Sequence, residues 1–268
     1  MKDKVVIITG ASSGIGKALA EKFSELQANL VLAARNEEAL KIVADKFDNR
    51  NKKYLIVKTD VSIESDCRNL IEQTITRFGK IDILINNAGI SMRALFQNTE
   101  TDVLRQVMGV NFWGAVYCSK YALPYLISQK GSLVGISSIA GFKGLPGRSG
   151  YSASKFALQG FLEVLRIENR NKNLHVLIAC PGFTASNIRN NALNAVGYQQ
   201  GESPRNEDGM MTAEDVAGKI INAIQKKKTL VVMTLQGRLT VLLNKFFPAL
   251  VDKLVFNHLV KEPDSPFK

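Results

Sequence analysis

The chain has 268 residues, 46% of them hydrophobic, with a formal net charge of +11, two histidines and three cysteines. That composition excludes a disordered chain and describes a globular protein with a sizeable core. Cys67, Cys118 and Cys180 are scattered with no C-x-x-C spacing, and His175 and His258 stand far apart. This excludes a disulfide framework or zinc site and fits a reducing compartment.

The N-terminus Met1-Lys2-Asp3-Lys4 passes directly into an apolar run with no signal-peptide pattern, so a cytoplasmic protein is expected. Lys4 to Thr9 is short and rich in β-branched residues, as a buried parallel strand requires. It enters Gly10-Ala11-Ser12-Ser13-Gly14-Ile15-Gly16 and then a helical pattern through Phe23. Strand, glycine turn and helix make a pyrophosphate site: glycines admit the phosphates close to the backbone, and the helix N-terminus offers free N–H groups. The spacing is G-x-x-x-G-x-G and departs from G-x-G-x-x-G.

Asn29 to Ala34 reads as the second strand and ends in Arg35, not in an acid. An acid there would accept from a ribose 2′-OH, whereas arginine suits a 2′-phosphate, so Arg35 favours NADP(H) over NAD(H). A helix over 37–47 and a strand over Tyr54 to Lys58 lead to Asp60-Val61, placed to meet the adenine. An amphipathic stretch from Ile63 to Phe78 precedes a buried strand, Ile81 to Ile85, which feeds Asn87-Ala88-Gly89. The helical region from Glu100 to Ser128 carries Asn111, an amide that in mid-helix caps a kink or holds water.

Gly131 to Ile136 is the fifth strand and ends in Ser137-Ser138. A glycine-rich loop over 141–150 is long enough to fold Ser138 back beside Tyr151. Tyr151 and Lys155 stand at i, i+4 in a helical pattern continuing to Arg166, so phenol and ammonium share a face. A nearby ammonium is expected to lower the phenol from about 10, giving an acid/base usable near neutrality. Leu174 to Ala179 is a sixth strand that buries His175, followed by Pro181-Gly182-Phe183-Thr184. A polar segment over 186–211, a helix over 212–226 and a seventh strand over 230–234 complete the alternation of strand and helix. That alternation predicts an α/β fold, a doubly wound parallel sheet with helices on both faces.

Together, Thr9-Gly10-Ala11-Ser12-Ser13-Gly14-Ile15-Gly16, Asn86-Asn87-Ala88-Gly89, Asn111, Ser138, Tyr151-x-x-x-Lys155 and Pro181-Gly182 resemble the short-chain dehydrogenase/reductase family, in the manner of its hydroxysteroid-type members. The resemblance runs from about Lys4 to Thr234 and implies a Rossmann-like seven-stranded fold. It implies that Tyr151 is the catalytic acid/base and that Lys155 lowers its pKa and binds the nicotinamide ribose. Ser138 would hydrogen-bond the substrate oxygen, and Asn111 would hold a water. The implied cofactor contacts are Gly10, Ser12, Ser13, Gly14, Ile15, Gly16, Arg35, Asp60, Val61, Asn87, Ala88, Gly89, Tyr151, Lys155, Pro181, Gly182 and Thr184. Ser186 occupies the place of the family's threonine in P-G-F-x-x-T. The segment over 186–211 would act as a substrate lid, and a homodimer or homotetramer is the family habit.

The catalytic domain is thus expected over 1–236, with an apolar helical extension over 237–268. Leu239, Leu243, Phe246, Phe247, Leu250, Leu254 and Phe256, interrupted by Lys245, Lys253 and Pro248, make this extension apolar. It would pack on a neighbouring subunit, cover the pocket, or lie peripherally in a membrane interface. No apolar stretch reaches the length of about 20 residues that spans a bilayer, and no basic stripe with interleaved aromatics signals nucleic acid. The expected activity is NADPH-dependent reduction of a hydrophobic carbonyl compound, or the reverse oxidation. A 3-oxoacyl-carrier-protein reductase and a non-catalytic NADP-binding sensor are the alternatives.

Overall fold

The computed structural model describes residues 1–47, 53–184, 188–201 and 209–261, together with 265 and 267. Among them, seven parallel strands form one sheet: β1 (Val5–Thr9), β2 (Asn29–Ala34), β3 (Tyr54–Lys58), β4 (Ile83–Asn86), β5 (Ser132–Ile136), β6 (His175–Cys180) and β7 (Leu230–Val232). Their order is β3-β2-β1-β4-β5-β6-β7, so the winding reverses beside β1, which pairs with both β2 and β4. A crevice at the C-terminal ends of β1 and β4 follows, and such a switch point is where α/β sheets bind ligands.

Alternation along each strand divides the core into two layers. Val6, Ile8, Leu30 and Leu32 face α1 (Gly14–Glu25), α2 (Glu37–Ala44) and α7 (Ala213–Gln225). Val5, Ile7, Val31 and Ala33 face α3 (Glu64–Phe78), α5 (Gly114–Ser128) and α6 (Ser149–Glu168). Each buried Leu or Ile contributes roughly 1.5–3 kcal/mol. The two layers fix the helices whose ends carry the polar groups described below.

Three local features position the site. Gly135 in β5 has no side chain because Leu162 of α6 occupies that space, so α6 lies close against the sheet. Between α4 (Thr101–Met108) and α5, a π-helical turn over Gly109–Trp113 shifts the register and turns Asn111 inward, where it is 2% exposed. The mid-helix amide foreseen at a kink is therefore seated in a π turn. Finally, β7 is followed by α8 (Leu235–Phe246) and α9 (Pro248–Val260), which fold back over the site.

His175 is buried at the start of β6, between the Ser132 hydroxyl (Nδ1, 2.9 Å) and the Lys228 carbonyl (Nε2, 2.8 Å). Cys67, Cys118 and Cys180 are free and buried.

Candidate active site

The glycine turn after β1 is built for close approach. Gly10 has φ +65, and a Cβ there would lie 2.9 Å from the Cα of Ala88. At Gly16 a Cβ would strike the Gly10 carbonyl. Thr9 ties this turn to the exit of β4, its Oγ1 accepting from Asn87 N and Ala88 N at 3.0 Å each. Asn87 Nδ2 donates to Thr9 O at 2.9 Å and Gly10 O at 3.2 Å. Ser13 caps α1 in an extended conformation and makes no side-chain bond to the helix, and Ser12 and Ile15 flank it. The turn thus presents the start of α1 across a narrow cradle. Its donors and the absence of side chains fit a dinucleotide pyrophosphate.

Arg35 is exposed at the end of β2, with no ion pair among the described residues, and Asn36 beside it caps α2. Asp60 is half-buried past the end of β3, where its carboxylate accepts from Ser62 N and Oγ, and Val61 is buried beside it. These residues border the same edge of the crevice as the glycine turn.

On the other side, Ser138, Tyr151 and Lys155 converge. Ser138 starts a short 3₁₀ turn, accepting from Ala140 N at 3.2 Å, and faces a cavity of about 920 Å³. Its neighbour Ser137 is 3% exposed and accepts from Gln159 Nε2 at 2.8 Å. The strand alternation sends only the second serine of the pair toward the cavity. Lys155 is buried and donates to Ile136 O, the last residue of β5, at 2.9 Å. Asn111 accepts from Ile90 N at 2.8 Å and donates to Ile90 O and Ser154 Oγ at 2.9 Å each. It thereby locks the segment after Gly89 to α6. A Cβ on Gly89 would lie 3.3 Å from Asn111 Oδ1 and 3.5 Å from Lys155 Nζ, so Gly89 leaves room for both.

The electrostatics differ from the expectation at one point. Burial pushes the Tyr151 phenol up, opposed by a hydrogen bond with Ser138 and by the Arg148 cation. The expected lowering by Lys155 does not appear, because the ammonium is turned to the Ile136 carbonyl and stands 5.7 Å from the phenol ring centre. Burial brings Lys155 itself down to about 8. Cys180 at the end of β6, its thiol pushed up to about 12 by burial, stays neutral beside this group.

After β6, Pro181 is buried and Gly182 packs against Thr234, where a Cβ would meet Oγ1 at 2.9 Å. Thr184 is 5% exposed, with its hydroxyl donating to Gly182 O at 3.1 Å. Ser186 lies outside the described residues, as do 187 and 202–208 of the expected lid. The described parts, 188–201 and 209–211, are irregular; the first packs Leu193 against Met92 and Val103, and the second lines the cavity.

Pocket cover was one of three placements open for the C-terminal extension; one wall of the cavity was missed. Ile139 and Leu145 meet Leu243 of α8 with Val251 and Leu254 of α9 across the opening. Arg148, three residues before Tyr151, lines the wall as well. The i, i+3 spacing to Tyr151 was a signal that could have found it.

Residues 4–196 match the short chain dehydrogenase family. A Dictyostelium discoideum relative, dehydrogenase/reductase SDR family protein 7-like, is 36% identical over 260 residues, covering 94% of this chain and 81% of its own. Mouse dehydrogenase/reductase SDR family member 7B is 34% identical over 271 residues, covering 99% and 84%. Arabidopsis thaliana 11-beta-hydroxysteroid dehydrogenase-like 4A is 38% identical over 230 residues, covering 85% and 75%. A short chain dehydrogenase/reductase from Burkholderia phymatum, solved in complex with NAD, superposes with a TM-score of 0.83 at 27% identity, over 93% of this chain and 95% of that one. With this fold, a dinucleotide cradle and a Ser–Tyr–Lys cluster at its mouth, the chain belongs to the short-chain dehydrogenase/reductase family and is a nicotinamide-nucleotide oxidoreductase acting on CH–OH and C=O groups.

Proposed function

We propose that the protein is an NADPH-dependent reductase of hydrophobic carbonyl compounds, working through Asn111, Ser138, Tyr151 and Lys155. The observation that carries this reading is the hydrogen bond between the Tyr151 phenol and Ser138, which lines a cavity roofed by α8 and α9. Ser138 holds the carbonyl oxygen, and the Tyr151 phenol gives that oxygen its proton. A bound nicotinamide supplies the hydride. Lys155 places positive charge beside the phenol, and Asn111 fixes Ile90 and Ser154 so that the lysine and the cofactor edge keep their spacing. Apolar side chains from the roof exclude water and hold the rest of the substrate.

Arg35 supports NADP(H): it stands at the end of β2, where no acid occurs to accept from a ribose 2′-OH. Titrating the protein's fluorescence with NADPH and NADH, for wild type and Arg35→Ala, tests this. Tight NADPH binding that collapses in the variant supports the assignment; equal affinity for both nucleotides removes it and leaves the oxidoreductase class untouched. Tyr151→Phe is the control that should bind cofactor without turnover.

The outer face of α8 and α9 exposes Leu242, Phe246, Phe247 and Leu250 near Lys245 and Lys253. This supports peripheral contact with an anionic lipid surface. Among the described residues, no helix is long and apolar enough to cross a membrane. Flotation with anionic liposomes, with and without residues from Gly237 onward, tests the contact, and equal recovery of both forms removes it.

A further inference from the structure

The cavity wall carries a cation that carbonyl reduction of an apolar substrate does not require. Arg148 is half-buried, precedes Tyr151 by one helical turn, and lines the cavity together with Ser138. Its Nη1 donates to the Ser91 hydroxyl at 3.1 Å, and Ser91 is 1% exposed, so the guanidinium is held in place from behind. Among the described residues, no carboxylate pairs with it. The groups that act on it are the Tyr151 phenol and two further cations, Arg93 and Arg189. Arg189 is itself buried and donates to Thr184 O at 2.9 Å.

A guanidinium partly withdrawn from water and held on one edge by a neutral hydroxyl is costly unless an anion meets it. Its fork geometry matches a carboxylate, which two parallel N–H groups can hold. The remaining lining is mainly aliphatic, with Leu145, Leu239 and Leu243 among it. Such a chamber suits an amphipathic molecule with its polar end inward.

We propose that Arg148 is a specificity-determining residue that binds an anionic oxygen group, in the simplest case a carboxylate, a few bonds from the carbonyl that Ser138 and Tyr151 engage. The substrate class is then an apolar oxo acid, not a neutral ketone. The assignment rests on the carbonyl-reductase reading and deepens it.

The test uses the purified full chain with NADPH and two matched pairs, 2-oxodecanoate and 4-oxodecanoate with their methyl esters. Wild type is expected to prefer the acid to the ester in at least one pair, by about tenfold to a hundredfold in kcat/KM, as loss of one charge-assisted contact predicts. Arg148→Met should bring that ratio close to one, mainly by raising KM for the acid, while Arg148→Lys keeps part of it. The ratio is the readout because any effect of Arg148 on the Tyr151 phenol falls equally on acid and ester. Equal turnover of acid and ester by wild type overturns the assignment, as does a ratio unchanged in Arg148→Met, and either leaves the reductase reading standing. Turnover of neither acids nor esters strikes the reductase reading itself and the assignment with it.

Discussion

Lys155 Nζ donates to the carbonyl oxygen of Ile136 at 2.9 Å, anchoring the helix that carries Tyr151 to the end of the strand that leads to Ser138. One buried ammonium therefore holds the two hydroxyl-bearing elements together and adds positive charge to that of Arg148. Burial brings it down to about 8 and pushes the Tyr151 phenol up. Below pH 8 the lysine is charged and the phenol protonated, the state in which reduction has both its proton donor and its adjacent cation. The kcat/KM for reduction should be level on the acid side of pH 8 and fall above it as the ammonium loses its proton. Lys155→Met should abolish this inflection and lower turnover by roughly 10²- to 10⁴-fold. A pH profile of both forms through the neutral and alkaline range checks it, and an inflection that survives in the variant would assign it to another group.

The two adjacent serines should separate cleanly. Ser138 faces the cavity, whereas Ser137 is buried against Gln159. Ser138→Ala removes the hydroxyl that orients the carbonyl oxygen and should lower kcat by roughly 10²- to 10³-fold, with about 1 kcal/mol of stability lost with the Ala140 cap. Ser137→Ala leaves Gln159 without its partner and should cost about 1–3 kcal/mol of stability while retaining most turnover. Steady-state kinetics paired with thermal melts distinguish them, and equal loss of activity in both would remove the assignment of Ser138.

Much of this was legible from local pattern alone. Each strand was placed within about two residues, because short apolar runs bounded by turn residues alternate along the chain with longer helical patterns. The Tyr151 and Lys155 pair was visible as a spacing, and of the two serines it is Ser138 that lines the cavity. What stayed hidden depended on distance in sequence. The Lys155 bond to Ile136 and the Asn111 bonds to Ile90 and Ser154 arise only when α6 packs on β5. The lysine's expected effect on the phenol failed for that reason, since spacing along a helix places side chains on a face but does not choose their acceptors. The roof over the cavity was one of three placements open for an apolar tail, and apolarity cannot choose among them.

Asp82 illustrates a stabilising role the sequence did not announce. It is 3% exposed just before β4 and accepts from Lys4 Nζ at 2.7 Å and Val5 N at 2.9 Å, with Lys80 Nζ at 3.1 Å. Burial alone would raise its carboxyl, but these three donors outweigh it and hold it below the usual 3.8. A folded value below the unfolded one means the stabilisation is complete above about pH 3.8 and is lost as pH falls through the folded value. Asp82→Asn should destabilise the protein by roughly 1–3 kcal/mol at neutral pH. The gap between variant and wild type should narrow in acid. Denaturant melts at neutral and acid pH check this, and a gap that stays constant would contradict the linkage.

The roof is pinned to the segment that carries Ser138. Asn244 Nδ2 of α8 donates to Phe142 O at 3.0 Å, and Asp252 of α9 pairs with Lys143, whose side chain is nearly enclosed. Val251 on the same helix is 3% exposed, so α9 is seated and not merely adjacent. Each polar tie should contribute about 1 kcal/mol to closure. Asn244→Ala and Asp252→Asn should each raise KM for an apolar carbonyl compound by about fivefold, with kcat within about twofold. The effect should grow with the length of the substrate's alkyl chain, since a longer chain draws more of its binding from α8 and α9. Steady-state kinetics across a series of ketones measures it. A fall in kcat at constant KM, independent of chain length, would instead mean that these ties hold Ser138 in place and that the substrate does not reach the roof.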